Sequence, residues 1–195
     1  MRILLLLITC LLIGTETFAQ QLGLEEEFVL PDYYRKDTVY VMNGYRYRCD
    51  GTKGLVKIFN ADYQNQWEEQ DQVYKATGKY FDSDWGKLNP IMDDSSMDQK
   101  VRNIIDNAFS EEFVKNMIGD GLLTVNLFLN SETGRVEEVS FWFLPNDSYA
   151  TLSLSAYRNI ELQLIRDIRY APTAIGKQLN YILLSLTRKP LGASE

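Results

Sequence analysis

Leu123-Thr124-Val125-Asn126-Leu127-Phe128-Leu129, the turn Ser131-Glu132-Thr133-Gly134, and Val136-Glu137-Glu138-Val139-Ser140-Phe141-Trp142-Phe143 together decide the fold of this chain. Leu123, Val125, Leu127 and Leu129 alternate with Thr124, Asn126 and Phe128, and Val139, Phe141 and Phe143 alternate with Glu138, Ser140 and Trp142. A period of two is the signature of a strand, so the stretch reads as an antiparallel hairpin. Downstream, Tyr157, Ile160, Leu164, Ile165 and Ile168 fall on one stripe of a helix expected from about Ser155 to Arg169, which Pro172 forbids from continuing. A last strand, Gln178 to Thr187, follows Gly176-Lys177.

Working toward the N-terminus, Val101, Ile104, Ile105 and Ala108, then Phe113, Val114, Met117 and Ile118, have helical spacing. Ser110 with Glu111-Glu112 is a cap between two short helices. Asn89-Pro90 and Asp93-Asp94-Ser95-Ser96 interrupt the chain, which places a boundary near residues 89–98. Before it, Thr38 to Met42 and Tyr45 to Cys49 are joined by Asn43-Gly44, a pair that tolerates the positive φ angles of a two-residue hairpin turn. That turn sets Met42 opposite Tyr45 and Tyr40 opposite Tyr47, with Val41 and Val39 opposite Arg46 and Arg48. Leu55 to Phe59 completes an antiparallel meander. Residues 60–88 carry Tyr63, Trp67, Tyr74, Tyr80, Phe81 and Trp85, and in a module without disulfides these aromatics are expected to serve as core rather than as a sugar-stacking platform. Asp82-Ser83-Asp84-Trp85-Gly86 fails as a calcium loop, because Gly86 stands at the fifth position and Lys87 at the sixth.

Of 195 residues none is histidine, and Lys+Arg 20 against Asp+Glu 27 makes the net charge −7. Triads, Cys-His dyads and His-ligated zinc are excluded at once. An acidic chain also lacks the basic surplus that binds nucleic acid. Ile3 to Ile13 is apolar apart from Thr9 and Cys10, and Thr17-Phe18-Ala19 offers a cleavage site, so residues 1–19 read as a signal peptide. A lipoprotein processed at Cys10 would place Leu11-Leu12-Ile13 where a polar tether is usual, which argues against it. No later apolar run is long enough for a bilayer. The mature chain then holds only Cys49, expected as a buried small hydrophobe.

The order strand, turn, strand, helix, aromatic-x-Pro, Gly-Lys, strand resembles the C-terminal domain of TonB over roughly residues 120–190. Thr133-Gly134-Arg135-Val136, Tyr170-Ala171-Pro172 and Gly176-Lys177 carry the likeness. It implies a ββαβ sheet with a helix on one face and recognition by pairing an extended partner onto an exposed strand. The cleavable signal and the five prolines in all depart from TonB, which keeps a membrane helix and a Pro-rich spacer, so energy transduction is not implied. The likeness is closer to small exported Bacteroidota proteins that carry a divergent TonB-like domain.

The expected architecture is therefore α+β: signal peptide 1–19, an N-terminal antiparallel β meander in 20–95, and a TonB C-terminal-like ββαβ module with preceding helices in 96–195. One sheet face should carry Phe128 and Trp142 beside Asn126, Ser140 and Glu138, covered by the helices at 98–118 or by the meander, or else open to a partner. The expected function is an exported envelope protein, periplasmic or extracellular, that recognises an envelope protein or a second copy through that face or through the last strand. Candidate binding residues are Phe128, Trp142, Asn180, Ile182 and Leu184. No cofactor or metal is implied. The competing class is a carboxylate enzyme or a small-ligand or glycan binder, but the adjacent pairs Glu68-Glu69, Glu111-Glu112 and Glu137-Glu138 read as solvated surface. A passive structural component is the third class. Asn146-Asp147-Ser148 is a bare triplet on a loop.

Overall fold

The computed structural model describes residues 38–52, 54–81, 91–92, 96–109, 121–145 and 147–188. The signal peptide 1–19, Cys10, Asp82 to Asn89-Pro90, Asp93 to Ser95, the second helical stretch from Ser110 to Ile118 and Asn146 lie outside them. Six strands appear: β1 (Thr38–Met42), β2 (Tyr45–Thr52), β3 (Leu55–Asn60), β4 (Leu123–Leu129), β5 (Val136–Phe143) and β6 (Ile182–Arg188). Helix α1 spans Ser96–Asn107 and helix α2 spans Leu154–Asp167. The class is mixed α+β, with one antiparallel sheet in the order β1-β2-β3-β5-β4-β6.

Asn43 at φ 47 and Gly44 at φ 82 form the first turn, and the register Met42↔Tyr45, Tyr40↔Tyr47, Val39↔Arg48 is the one that the Asn-Gly pair requires. Strands on both sides of residues 89–98 enter the same sheet, because β3 pairs with β5 through Val56↔Phe143 and Ile58↔Phe141. The row Cys49, Ile58, Phe141, Val125, Leu186 crosses five strands on one face, and all five side chains are buried. Both helices pack there. Tyr157 of α2 stacks on Phe143 at 5.7 Å and meets Phe141 at 4.9 Å, while Val101, Ile104 and Ile105 of α1 join the same apolar cluster. Cys49 lies within β2 in this core, and burial pushes its thiol up to about 12.

Helix α2 starts where the Ser153 side chain accepts the amide of Ala156, a standard N-cap. Helix α1 is tied at three points. Arg188 donates twice to Asp106 (2.7 and 2.8 Å), the Tyr170 hydroxyl donates to Asp98, and Lys100 donates to the Asp167 carbonyl at the end of α2. The last strand begins later than its sequence suggests, since Gly176–Gln178 forms a short 3-10 turn before Ile182.

The β4–β5 turn explains two of the sequence motifs together. The Asn130 side chain accepts the amides of Glu132 and Thr133, and Gly134 closes the turn at φ 68. There the backbone after α2 meets it: the Tyr170 amide donates to the Gly134 carbonyl at 2.9 Å, and Arg169 Nε donates to the Thr133 carbonyl. A Cβ on Gly134 would drive into the Tyr170 carbonyl, whereas one on Gly44 would meet open space. Gly134→Ala is therefore expected to cost roughly 3 kcal/mol and Gly44→Ala about 1 kcal/mol, compared by denaturant unfolding. Equal losses would show that the close approach to Tyr170 contributes nothing.

Candidate functional site

The second face of the sheet carries Arg48, Phe59, Ser140, Asn126 and Ser185 in one row and Asp50, Lys57, Trp142, Thr124 and Thr187 in the next. Among the described residues its cover is neither α1 nor the meander, as the sequence suggested, but the strap of residues 61–81 that follows β3. The strap needs no long element of its own, because aromatic rings and carboxylates tie it down. Trp67 stacks on Tyr181 at 5.3 Å, and Tyr181 lies 5.6 Å from Phe128, so the three rings form a second apolar cluster. Farther along, residues 73–80 fold back through the Val73↔Tyr80 bridge and meet the main chain at Tyr74↔Leu179.

Two acids read as solvated surface are in fact the fasteners. Glu138 is 2% exposed and accepts the backbone amides of Asn65, Gln66 and Trp67 at 3.1, 3.0 and 2.8 Å. Gln66 takes φ 50, which brings three successive N–H groups toward one carboxylate. Burial pushes the Glu138 carboxyl up, against the amides that favour its charge. Glu68 accepts the Ser140 hydroxyl at 2.5 Å and Trp142 Nε1 at 3.1 Å, with Lys57 Nζ at 3.4 Å; burial likewise pushes it up. From Ser140 the network continues through Asn126 to Ser185 on β6.

A third carboxylate is shut in on the helix face. Glu161 of α2 is 0% exposed, although it interrupts the apolar stripe. Its Oε1 accepts Tyr63 Oη at 2.6 Å, Arg158 Nη1 at 2.7 Å and Asn60 Nδ2 at 3.2 Å, and its Oε2 accepts the Tyr47 hydroxyl. Tyr63 also takes the amide of Val139 just past the end of the β3–β5 ladder. Burial pushes the Glu161 carboxyl up to about 8, while its four donors favour the charged form. Its position between Tyr157 and Leu164 was the one sequence signal: an acid at helical spacing on an apolar stripe. Tyr63 and Asn60 had none, because only the strap's path brings them to α2.

The five candidate residues do not form one surface. Phe128 is 3% exposed beneath Tyr181, and Ile182 is 0% exposed, so neither faces a partner; the strap and the core cover them. Asn180 is engaged within the chain, accepting the amides of Val73 and Tyr181 and donating to the Asp71 carbonyl. Leu184 is half-buried at the β6 edge. Trp142 is half-buried, with Lys57 Nζ 4.3 Å from its ring centre. No group of three or more Cys, Asp or Glu suited to a metal is present among the described residues.

Glu138→Ala removes the acceptor of three amides and should cost roughly 3 kcal/mol, with the Trp67 fluorescence moving toward that of exposed indole. Retention of wild-type stability would show that the strap is held by its rings alone. For Glu161 the raised value sets the direction: the folded protein keeps a proton that the unfolded chain, titrating near 4.5, releases. Stability from this group is full below pH 4.5 and declines up to about pH 8, and Glu161→Gln should remove that decline from a series of unfolding curves. An unchanged pH profile in the variant would contradict it.

A family model described as a domain of unknown function, DUF5043, matches residues 31–186. The crystal structure of a DUF5043 family protein from Bacteroides uniformis ATCC 8492 is similar, with 36% identity over 85% of this chain and 90% of that chain and a TM-score of 0.73. No curated protein matches the chain. The chain, with a six-stranded antiparallel sheet and two helices among the described residues, belongs to the DUF5043 family.

Proposed function

We propose that this protein is exported to the cell envelope and acts there as a recognition module that pairs an extended segment of another envelope protein with β6. The observation that carries the reading is the place of β6 at the sheet edge, bonded to β4 and to no other strand among the described residues. An open edge presents a row of backbone donors and acceptors to any extended chain. Ile182 to Thr187 has neither proline nor charge, the devices that usually blunt an edge. Its alternation also suits an incoming strand, since Leu184 lies toward the helix face while Ser185 and Thr187 are exposed on the other.

Two further features support the reading. The order β4, β5, α2, β6, with β4 between β5 and β6, is compatible with the TonB-like module and its mode of strand addition. The apolar run at 3–13 with Thr17-Phe18-Ala19 supports export through a cleaved signal. Among the described residues no helix is long and apolar enough to cross a membrane. The competing carboxylate enzyme would draw on a buried acid such as Glu161, whose carboxyl burial pushes up, yet that side chain is sealed from solvent and already holds four donors.

Ser185→Lys places a charge on the edge and loses the bond from Ser185 to Asn126, at a cost of about 1 kcal/mol. In pull-downs from crosslinked envelope, the folded variant should lose the partner captured by the wild type, while folded Trp142→Ala keeps it. Capture surviving Ser185→Lys would defeat the edge reading, and loss with Trp142→Ala alone would move recognition to the sheet face. Capture of the same chain would identify a second copy as the segment bound.

A further inference from the structure

The outer strands carry a cleft that the strap walls on one side, on the second face and away from β6. It is open to solvent and has a volume of about 320 Å³. Val39, Ala61 and the exposed margin of Phe59, itself 6% exposed, line it from the sheet side, and Gln66 and Glu69 line it from the strap. Val39, Arg48 and Phe59 stand in one cross-strand row, and Arg46 lies one step along β2 on the same face. The two arginines differ. Arg48 lies over the Phe59 ring at 5.8 Å and pairs with Glu69, so it belongs to the wall. Arg46 is 54% exposed and makes one 3.2 Å contact, from Nη1 to Asp62 Oδ1, with Asp62 itself 45% exposed.

We infer that this cleft binds a small organic monocarboxylate with an apolar body. A guanidinium offers five N–H donors in a fork that matches a carboxylate, and the contact to Asp62 uses one of them. An exposed single-point pair contributes little to stability, so a ligand carboxylate can take the place of Asp62 on Arg46. The apolar body then lies against Val39, Ala61 and the small part of Phe59 that Arg48 leaves exposed, within a volume at the lower end of small-molecule sites. Asp62 and Glu69 at the rim select for a single charge, because a dianion would meet both. The source of the acid is either a free aryl or branched acid or the C-terminus of a peptide with an apolar last residue.

The test is an NMR titration of the 15N-labelled protein with phenylacetate, N-acetylphenylalanine and N-acetylphenylalaninamide. Saturable shifts are expected at the amides around Arg46, Phe59 and Gln66 with at least one acid, and the acid that binds tighter identifies the source. The amide should bind at least ~10-fold more weakly than its acid, as should the acid to Arg46→Gln. Asp62→Asn frees the guanidinium and should tighten binding, an opposite change that a merely damaged fold does not produce. No saturable shift by about 10 mM, or equal binding of acid and amide, overturns the inference.

Discussion

The pairing of β3 with β5 is the constraint on which the rest of the structure depends. It joins the meander β1–β3 to β4, β5 and β6 in one sheet six strands wide, and a sheet of that width has two faces to remove from water. The helices account for one face, where the row from Cys49 to Leu186 is apolar throughout. The other face mixes Phe128 and Trp142 with Asn126, Ser140 and Glu138, so an apolar helix stripe laid over it would leave polar groups without partners. A strap of irregular chain suits it better, because free backbone amides and short polar side chains reach each buried group in turn.

That division explains why three glutamates are buried. Glu138 is held by backbone amides, Glu68 by Ser140, Trp142 and Lys57, and Glu161 by two tyrosines, Asn60 and Arg158. Each resists burial, and each is compensated by directional bonds rather than by packing alone. Because such bonds are satisfied in one arrangement only, they set the position of the strap more narrowly than its rings do. Tyr63 links the two faces in this respect, being part of the strap while donating to an acid on α2.

The same arrangement makes the two ends of the sheet chemically unlike. At β6, Ile182 to Thr187 is uncharged and largely aliphatic, with the Ser185 and Thr187 hydroxyls on one side. At the other end the second face carries Arg46 and Arg48 of β2 and Phe59 of β3 beside the strap. The extended segment proposed for β6 and the small acid proposed for the cleft would thus bind at regions separated by the breadth of the sheet.

Much of this was legible in the sequence, wherever the determining forces are local. Asn43-Gly44 specified the first hairpin and its register, the period-two runs at 123–143 the second, and the stripe ended by Pro172 the helix. Those elements, with the resemblance they carry, pointed to the class α+β. What the sequence could not yield was which acids are buried and what covers the second face. Glu138 alternates as any outward strand residue does, and adjacent acids have the composition of solvated surface. Their burial depends on contacts made 71 to 73 positions away, at Asn65 to Trp67. Likewise Phe128 and Ile182 had the composition of a docking surface but became interior, because residues 61–81 cross the sheet and α2 lies behind it. Periodicity is a property of neighbours along the chain, whereas cover is decided by segments far apart in sequence, and only the tertiary structure brings those together.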